Sequence, residues 1–208
     1  VFLLRSDTSS LSLSSSSLDK YNEMYAEHNK ARKKTESQEK NWVEWPDYLA
    51  MVSEMKSDLA EQEEAKDWTW RETLRYQDYV IALLYSHYPL RNDFGDVEVV
   101  SKSAFNNTTH EERVKQNYLI KEQAKMSLVL NEYKTSKKYG EKTIEIDPAI
   151  RKVLLLWFKH NRSGFLLADK KGQPLGSNGI TKSLAKVGLQ RLQKRLGSSL
   201  LRHSYLSH

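Results

Sequence analysis

The stretch NYLIKEQAKMSLVLNEYKTSKKYGEKTIEID, residues 117–147, breaks the period of the chain. On either side of it apolar residues recur at helical spacing. Within it they alternate or run unbroken over a few positions. Short runs rich in β-branched residues and bounded by polar segments read as strands. Three are predicted: Asn117–Ile120, Lys125–Tyr133 and Lys142–Asp147. Gly140, in the join between the last two, suits a hairpin turn. The expectation is a three-stranded antiparallel meander.

Helical patterns surround it. After Pro46, which suits a first helical turn, Leu49, Val52, Met55 and Leu59 recur at helical spacing within residues 41–62. Residues 68–90 form a strong helix pattern. Thr69 and Glu72 have the spacing of a capping box, Leu74, residues 78–81 and Leu84–Tyr85 supply a thick apolar face, and Pro89 ends it. Asp147 and Pro148 mark the start of another helix, to Asn161, with Ile150, Val153, Leu154, Trp157 and Phe158 inward. Residues 164–176 read as a short extended piece and a loop. Residues 177–197 form a basic amphipathic helix, capped by Ser177 or Asn178 and stopped by Gly197. A last helix opens at SSLLRHSYLSH. The fold class is therefore α+β, mainly α, with the small sheet at one edge.

The remainder is organised simply. Ser6–Asp19 is low-complexity serine, too polar to offset its ordering entropy, so residues 1–19 read as a disordered leader. Residues 20–34 carry Tyr21, Met24, Tyr25 and His28 on one helical face. One domain over residues 41–208 fits the length of 208 residues.

Composition narrows the chemistry. Without cysteine there is neither a disulfide framework nor a thiolate metal site, which fits a reducing compartment. No apolar run reaches the length of a bilayer span, so a membrane partner is not expected. The six histidines show no metal-ligand spacing, and neither a phosphate-binding glycine loop nor a nucleophile elbow is present. Charge is distributed unevenly. Residues 1–100 hold 12 basic and 19 acidic residues, a net of −7, and residues 101–208 hold 21 and 8, a net of +13. A basic half-chain points to a polyanion, since neutralising phosphates releases counterions.

What remains is a set of cations at element edges. Arg91 follows the helix-ending YPL, Lys134 opens the join between two strands, and Arg202 lies among Leu200, Leu201, Tyr205 and Leu206. An arginine at a core boundary needs a partner, either a carboxylate or a bound phosphate. An internal bridge from Arg91 to Asp93 or Asp96 would satisfy it as well as a ligand would.

Taken in order, these segments resemble the catalytic domain of the tyrosine recombinase (phage-type integrase) family. LLRHSYLSH is similar to the family's second-arginine box, YPLRNDFGDVEV to its first, and NEYKTSKKYGEKTIEI to its lysine hairpin. The resemblance runs from about Asn41 onward and implies a helical catalytic domain with a small edge sheet. It makes residues 20–40 the remnant of a DNA-clamping domain or its linker. It also implies strand exchange on double-stranded DNA, without metal or other cofactor, in which a tyrosine forms a 3′-phosphotyrosine. Guanidinium forks match phosphate oxygens and stay charged at any working pH. On this basis Arg91 and Arg202 form the phosphate clamp. Lys134 is the general acid to the departing 5′ oxygen, with Lys137 and Lys138 as rivals for that role or as backbone contacts. Lys182 and His203 are further DNA contacts.

Ser199 stands where the family usually has a histidine; it can hydrogen-bond a phosphate but cannot share a proton near neutral pH. Asp93 is nearest to the family's acidic residue. Tyr205, one turn past Arg202, reads as a packing residue, and the nucleophilic tyrosine is expected beyond His208. Family members act as tetramers on DNA, inside cells, in a nucleus or on a mobile element. Two other expectations stand beside this one: a non-catalytic DNA-binding protein of the same fold, and a helical module that binds RNA or an acidic protein.

Overall fold

A computed structural model describes residues 36–208. The predicted leader and the helix over residues 20–34 lie outside the described residues. Within them, ten α-helices and one 3-10 turn surround a single four-stranded sheet. No helix among them is long and apolar enough to cross a membrane.

The chain enters through α1 (Glu36–Asn41) and α2 (Trp45–Ser57), with Pro46 in the first turn of α2. Trp45, Tyr48, Met51, Val52 and Met55 make the buried stripe of α2. Leu49, expected on that stripe, falls beside it and is 41% exposed. The single helix predicted over this region is in fact two, because the chain turns at Asp58–Leu59 into α3 (Ala60–Glu64). The central helix, α4 (Trp70–His87), begins at the predicted capping box. The Thr69 hydroxyl accepts from the Glu72 amide at 3.3 Å, and the Glu72 carboxylate accepts from the Thr69 amide at 2.7 Å. The Tyr48 hydroxyl donates to the Ala82 carbonyl at 2.8 Å and ties α2 to α4.

The sheet holds a strand more than predicted. β2 (Asn117–Lys121), β3 (Met126–Leu130) and β4 (Lys142–Glu145) form the antiparallel meander, with Leu119 opposite Leu128 and Leu128 opposite Ile144. β1 (Val97–Ser101) lies parallel to β2. A parallel neighbour requires a crossover, and here it is made of α5 (Lys102–Asn107) and α6 (His110–Arg113). That crossover covers the far face of the sheet. Leu119, Leu128 and Leu130 enter the main core, while Phe105 of α5 packs with Tyr118, Ile120 and Val129 on the other side. Burial on both faces explains why β2 and β3 read as unbroken apolar runs. The outer edge of β1 is taken by the extended piece after Gly164: Val99 donates to the Gly164 carbonyl and Leu166 to that of Val97.

The join between β3 and β4 is not a tight hairpin. Residues 131–141 contain a short helix, α7 (Ser136–Tyr139), and Gly140 takes φ 67° to leave it. α8 (Pro148–His160) starts as predicted, with the Asp147 carboxylate accepting from the Ala149 amide at 2.7 Å. α9 (Gly176–Leu192) has no side-chain cap and ends before Gly197. Gln193 adopts a left-handed conformation, φ 55°, and the chain folds back on Gly188. α10 (Ser198–Ser207) then closes the described structure.

Gly188 makes this reversal sterically possible. A Cβ there would lie 2.4 Å from Leu196 Cγ and 2.5 Å from the Lys194 carbonyl oxygen. Glycine to alanine inside a helix ordinarily stabilises by about 1 kcal/mol, but overlap of this kind costs about 1–3 kcal/mol. Overlap with a backbone oxygen should win. Gly188→Ala is expected to lower the urea midpoint, and an unchanged or raised midpoint would show that the turn can relax.

Candidate anion-binding site

A cavity of about 870 Å³ opens where the 3-10 turn Asn92–Phe94, the start of β2 and the first turns of α9 and α10 converge. Arg91, Ser199 and Arg202 all line it, although the two arginines lie in segments far apart in the chain. Three of the four residues expected in catalysis therefore meet. Lys134 does not join them: it is exposed on the β3–β4 connection and does not line the cavity. Lys137 and Lys138 are exposed on α7, and Lys138 lies 5.2 Å from the Tyr139 ring. Lys182 is exposed on α9, where Lys186 and Arg191 are paired with Asp78 and Asp58. His203 is half-buried, and burial and the Arg202 charge lower its pKa.

Arg91 is held from three sides. The Tyr85 hydroxyl donates to its carbonyl at 2.5 Å. The Asn92 amide donates to the Ser177 hydroxyl at 2.8 Å and to that of Thr181 at 3.0 Å, tying the turn to the first turns of α9. Gly95 touches Gly176 so closely that a Cβ on Gly95 would lie 2.6 Å from the Gly176 carbonyl carbon. The glycine of the YPLRNDFGDVEV segment is thus a contact point between backbones.

Arg202 is held by the other face of α10. Leu200 and Leu201 are buried, and the Ser204 hydroxyl donates to the Val43 carbonyl at 2.6 Å. The Tyr205 ring stands edge-on to Trp45, with centroids 5.1 Å apart. Ser198, Ser199 and Arg202, spaced three and four residues apart, line the cavity from the opposite side. Tyr205 does not line it, which agrees with a packing role.

The electrostatics include a lysine that the sequence reading passed over. Lys142, first residue of β4, is half-buried, with its ammonium 4.9 Å from the Tyr133 ring and 5.7 Å from that of Tyr139. Burial lowers its pKa, and its charge acts on Asp93, Arg202 and Arg91. The alternation of β4 could have found it, since Lys142 and Ile144 share the less exposed side. Asp93 lies within reach of all three cations; burial raises its pKa while Arg91, Arg202 and Lys142 pull it down. The carboxylate expected as an internal partner for Arg91 is thus present beside the clamp. Asp96 and Glu132 line other parts of the wall. Glu132 is set there by Asn117, whose side chain accepts from the Asn131 and Glu132 amides at 2.9 and 2.8 Å.

The helices add donors. Neither α9 nor α10 has a side-chain cap, and Ser177 and Ser198, in their first turns, line the cavity. First-turn amides and the positive ends of two helix dipoles are favourable surroundings for an anion. Two guanidinium groups, a hydroxyl and such amides can hold a tetrahedral oxyanion. No family model, curated protein or solved structure matches the chain.

The raised Asp93 pKa has a testable sign. A carboxyl whose pKa rises on folding contributes stability that is full below its unfolded value, about 3.9, and lost as pH rises through the folded value. Urea unfolding of the wild type and Asp93→Asn, followed from about pH 3.5 to 7, should show the wild type losing stability relative to the variant as pH rises. A difference moving the other way would mean that the three cations outweigh burial at Asp93.

Proposed function

We propose that this domain binds double-stranded DNA with a backbone phosphate seated between Arg91 and Arg202, as the phosphate-holding part of a tyrosine-recombinase-like catalytic domain. The observation that carries this reading is the convergence of the two arginines on one cavity, from the two segments that resemble the family's arginine boxes. The basic second half of the chain supplies the long-range attraction.

In the proposed reaction a tyrosine hydroxyl attacks the phosphorus and the 5′ oxygen leaves with a proton. A 3′-phosphotyrosine remains, which the 5′ hydroxyl of another strand can attack in turn. Arg91 and Arg202 take the two non-bridging oxygens and stabilise the charge that shifts onto them. Ser199 donates a hydrogen bond. The lysine that protonates the leaving oxygen comes from the β3–β4 region. Lys134 occupies the family's position there, and Lys142 lies within electrostatic reach of the clamp. The cavity wall contains no tyrosine, so no nucleophile is assigned among the described residues. The working form on paired sites is a tetramer.

One observation favours a second reading. Asp93 beside the cations could make them an internal ion cluster of a helical interaction module. The two readings separate on the arginines. A charge-assisted hydrogen bond contributes about 1.5–3 kcal/mol. Arg91→Ala and Arg202→Ala should therefore each weaken binding to duplex DNA on the order of tenfold to a hundredfold, with the salt slope falling by about one. Fluorescence anisotropy at several salt concentrations reads both. Lowered melting temperatures with unchanged DNA affinity would instead support the ion cluster. On a nicked suicide substrate the 208-residue chain should bind without forming a covalent adduct; an adduct would place the nucleophile within it.

A further inference from the structure

Tyr85 has no part in the chemistry proposed above, yet its hydroxyl bonds the backbone of Arg91. It lies in the last turns of α4, fully buried, with its ring edge-on to Phe94 at 5.3 Å. Phenylalanine could fill that space equally well, so the packing does not account for a tyrosine. A buried hydroxyl is costly unless paired, and this one is paired. It donates to the Arg91 carbonyl at 2.5 Å, and Ser198, in the first turn of α10, is near enough to act on the same oxygen. Ser198 precedes Arg202 by one helical turn on the cavity side of α10.

We infer that Tyr85 is a positioning residue for the two-arginine site, its hydroxyl setting where the Arg91 backbone stands. The inference rests on the reading of the cavity as a phosphate site. The Arg91 backbone is fixed at both ends, because its amide bonds the Asp93 carboxylate while its carbonyl takes the Tyr85 proton. As the residue before the 3-10 turn, Arg91 gives that carbonyl to the turn's first hydrogen bond, and the Tyr85 hydroxyl takes its remaining lone pair. Such anchors matter most to the proposed reaction, where a misplacement on the order of 1 Å can cost about a hundredfold in rate.

Tyr85→Phe keeps the ring and removes the hydroxyl. Duplex DNA affinity is expected to fall about tenfold, a change of about 1.4 kcal/mol. The loss should appear only while Arg91 is present: in an Arg91→Ala background, adding Tyr85→Phe should change affinity little, because there is no longer a guanidinium to place. Such non-additivity is the mark of groups acting as a unit, and a merely structural role would cost as much in either background. Ser198→Ala probes the same hydroxyl from the side of α10. It sits at the cavity surface, so it decides the question if Tyr85→Phe does not fold, and its effect should vanish in an Arg202→Ala background. If the arginine variants lose affinity while Tyr85→Phe and Ser198→Ala bind like the wild type, or cost the same in both backgrounds, Tyr85 positions nothing and the phosphate reading stands. If Arg91→Ala and Arg202→Ala bind duplex DNA as the wild type does, the phosphate reading itself fails, and the role of Tyr85 with it.

Discussion

Three cations, Arg91, Arg202 and Lys142, act on one another at one half-buried place, and bringing them together has an electrostatic cost. Two like charges about 6 Å apart repel by roughly 3 kcal/mol at an effective dielectric near 20. The structure answers in two ways. Asp93 neutralises part of the charge, which is why Arg91, Arg202 and Lys142 all act to lower its pKa against the effect of burial. Uncharged contacts do the rest: the Asn92 amide on Ser177 and Thr181, the backbone contact between Gly95 and Gly176, and the Ser204 hydroxyl on Val43. Each joins elements distant in sequence. The arginines are brought together by packing that does not itself depend on charge.

The same contacts show what was legible in the sequence. Local signals were read correctly because their partners lie a few residues away. The Thr69–Glu72 box and the Asp147–Pro148 start need only their own turn, and the β2–β4 meander needs only adjacent strands. β1 was missed although Val97–Ser101 alternates, because its partner is β2, reached through a helical crossover that no local pattern announces. α9 was drawn too long for a related reason. Residues 193–197 continue its polar pattern, but the chain turns where Leu196 packs against the bare Cα of Gly188, and only the tertiary contact decides that.

The candidate site divides along the same line. Arg91 and Arg202 could be picked out because each sits in a distinctive run of neighbours, and both do reach the cavity. Tyr85 looked like one more core aromatic, and Asn92 like a turn residue; their roles appear only once hydrogen bonds over 6 and 85 residues are drawn. Lysine was harder still. Five lie between Lys125 and Lys142, and which of them faces the arginines depends on a connection that proved to contain a helix. Position in the chain favoured Lys134, whereas strand alternation favours Lys142.

The distribution of charge around the cavity also constrains how a nucleic acid could occupy it. Arg91, Asp93, Arg202 and Lys142 act on one another, and the cavity wall carries Asp93, Asp96 and Glu132 as well as Arg91 and Arg202. A nucleic-acid backbone running along that wall would meet like charge at the carboxylates, and repulsion within a low-dielectric cleft is felt more strongly than at an open surface. On the proposed reading a single phosphate enters between the arginines and its neighbours remain outside.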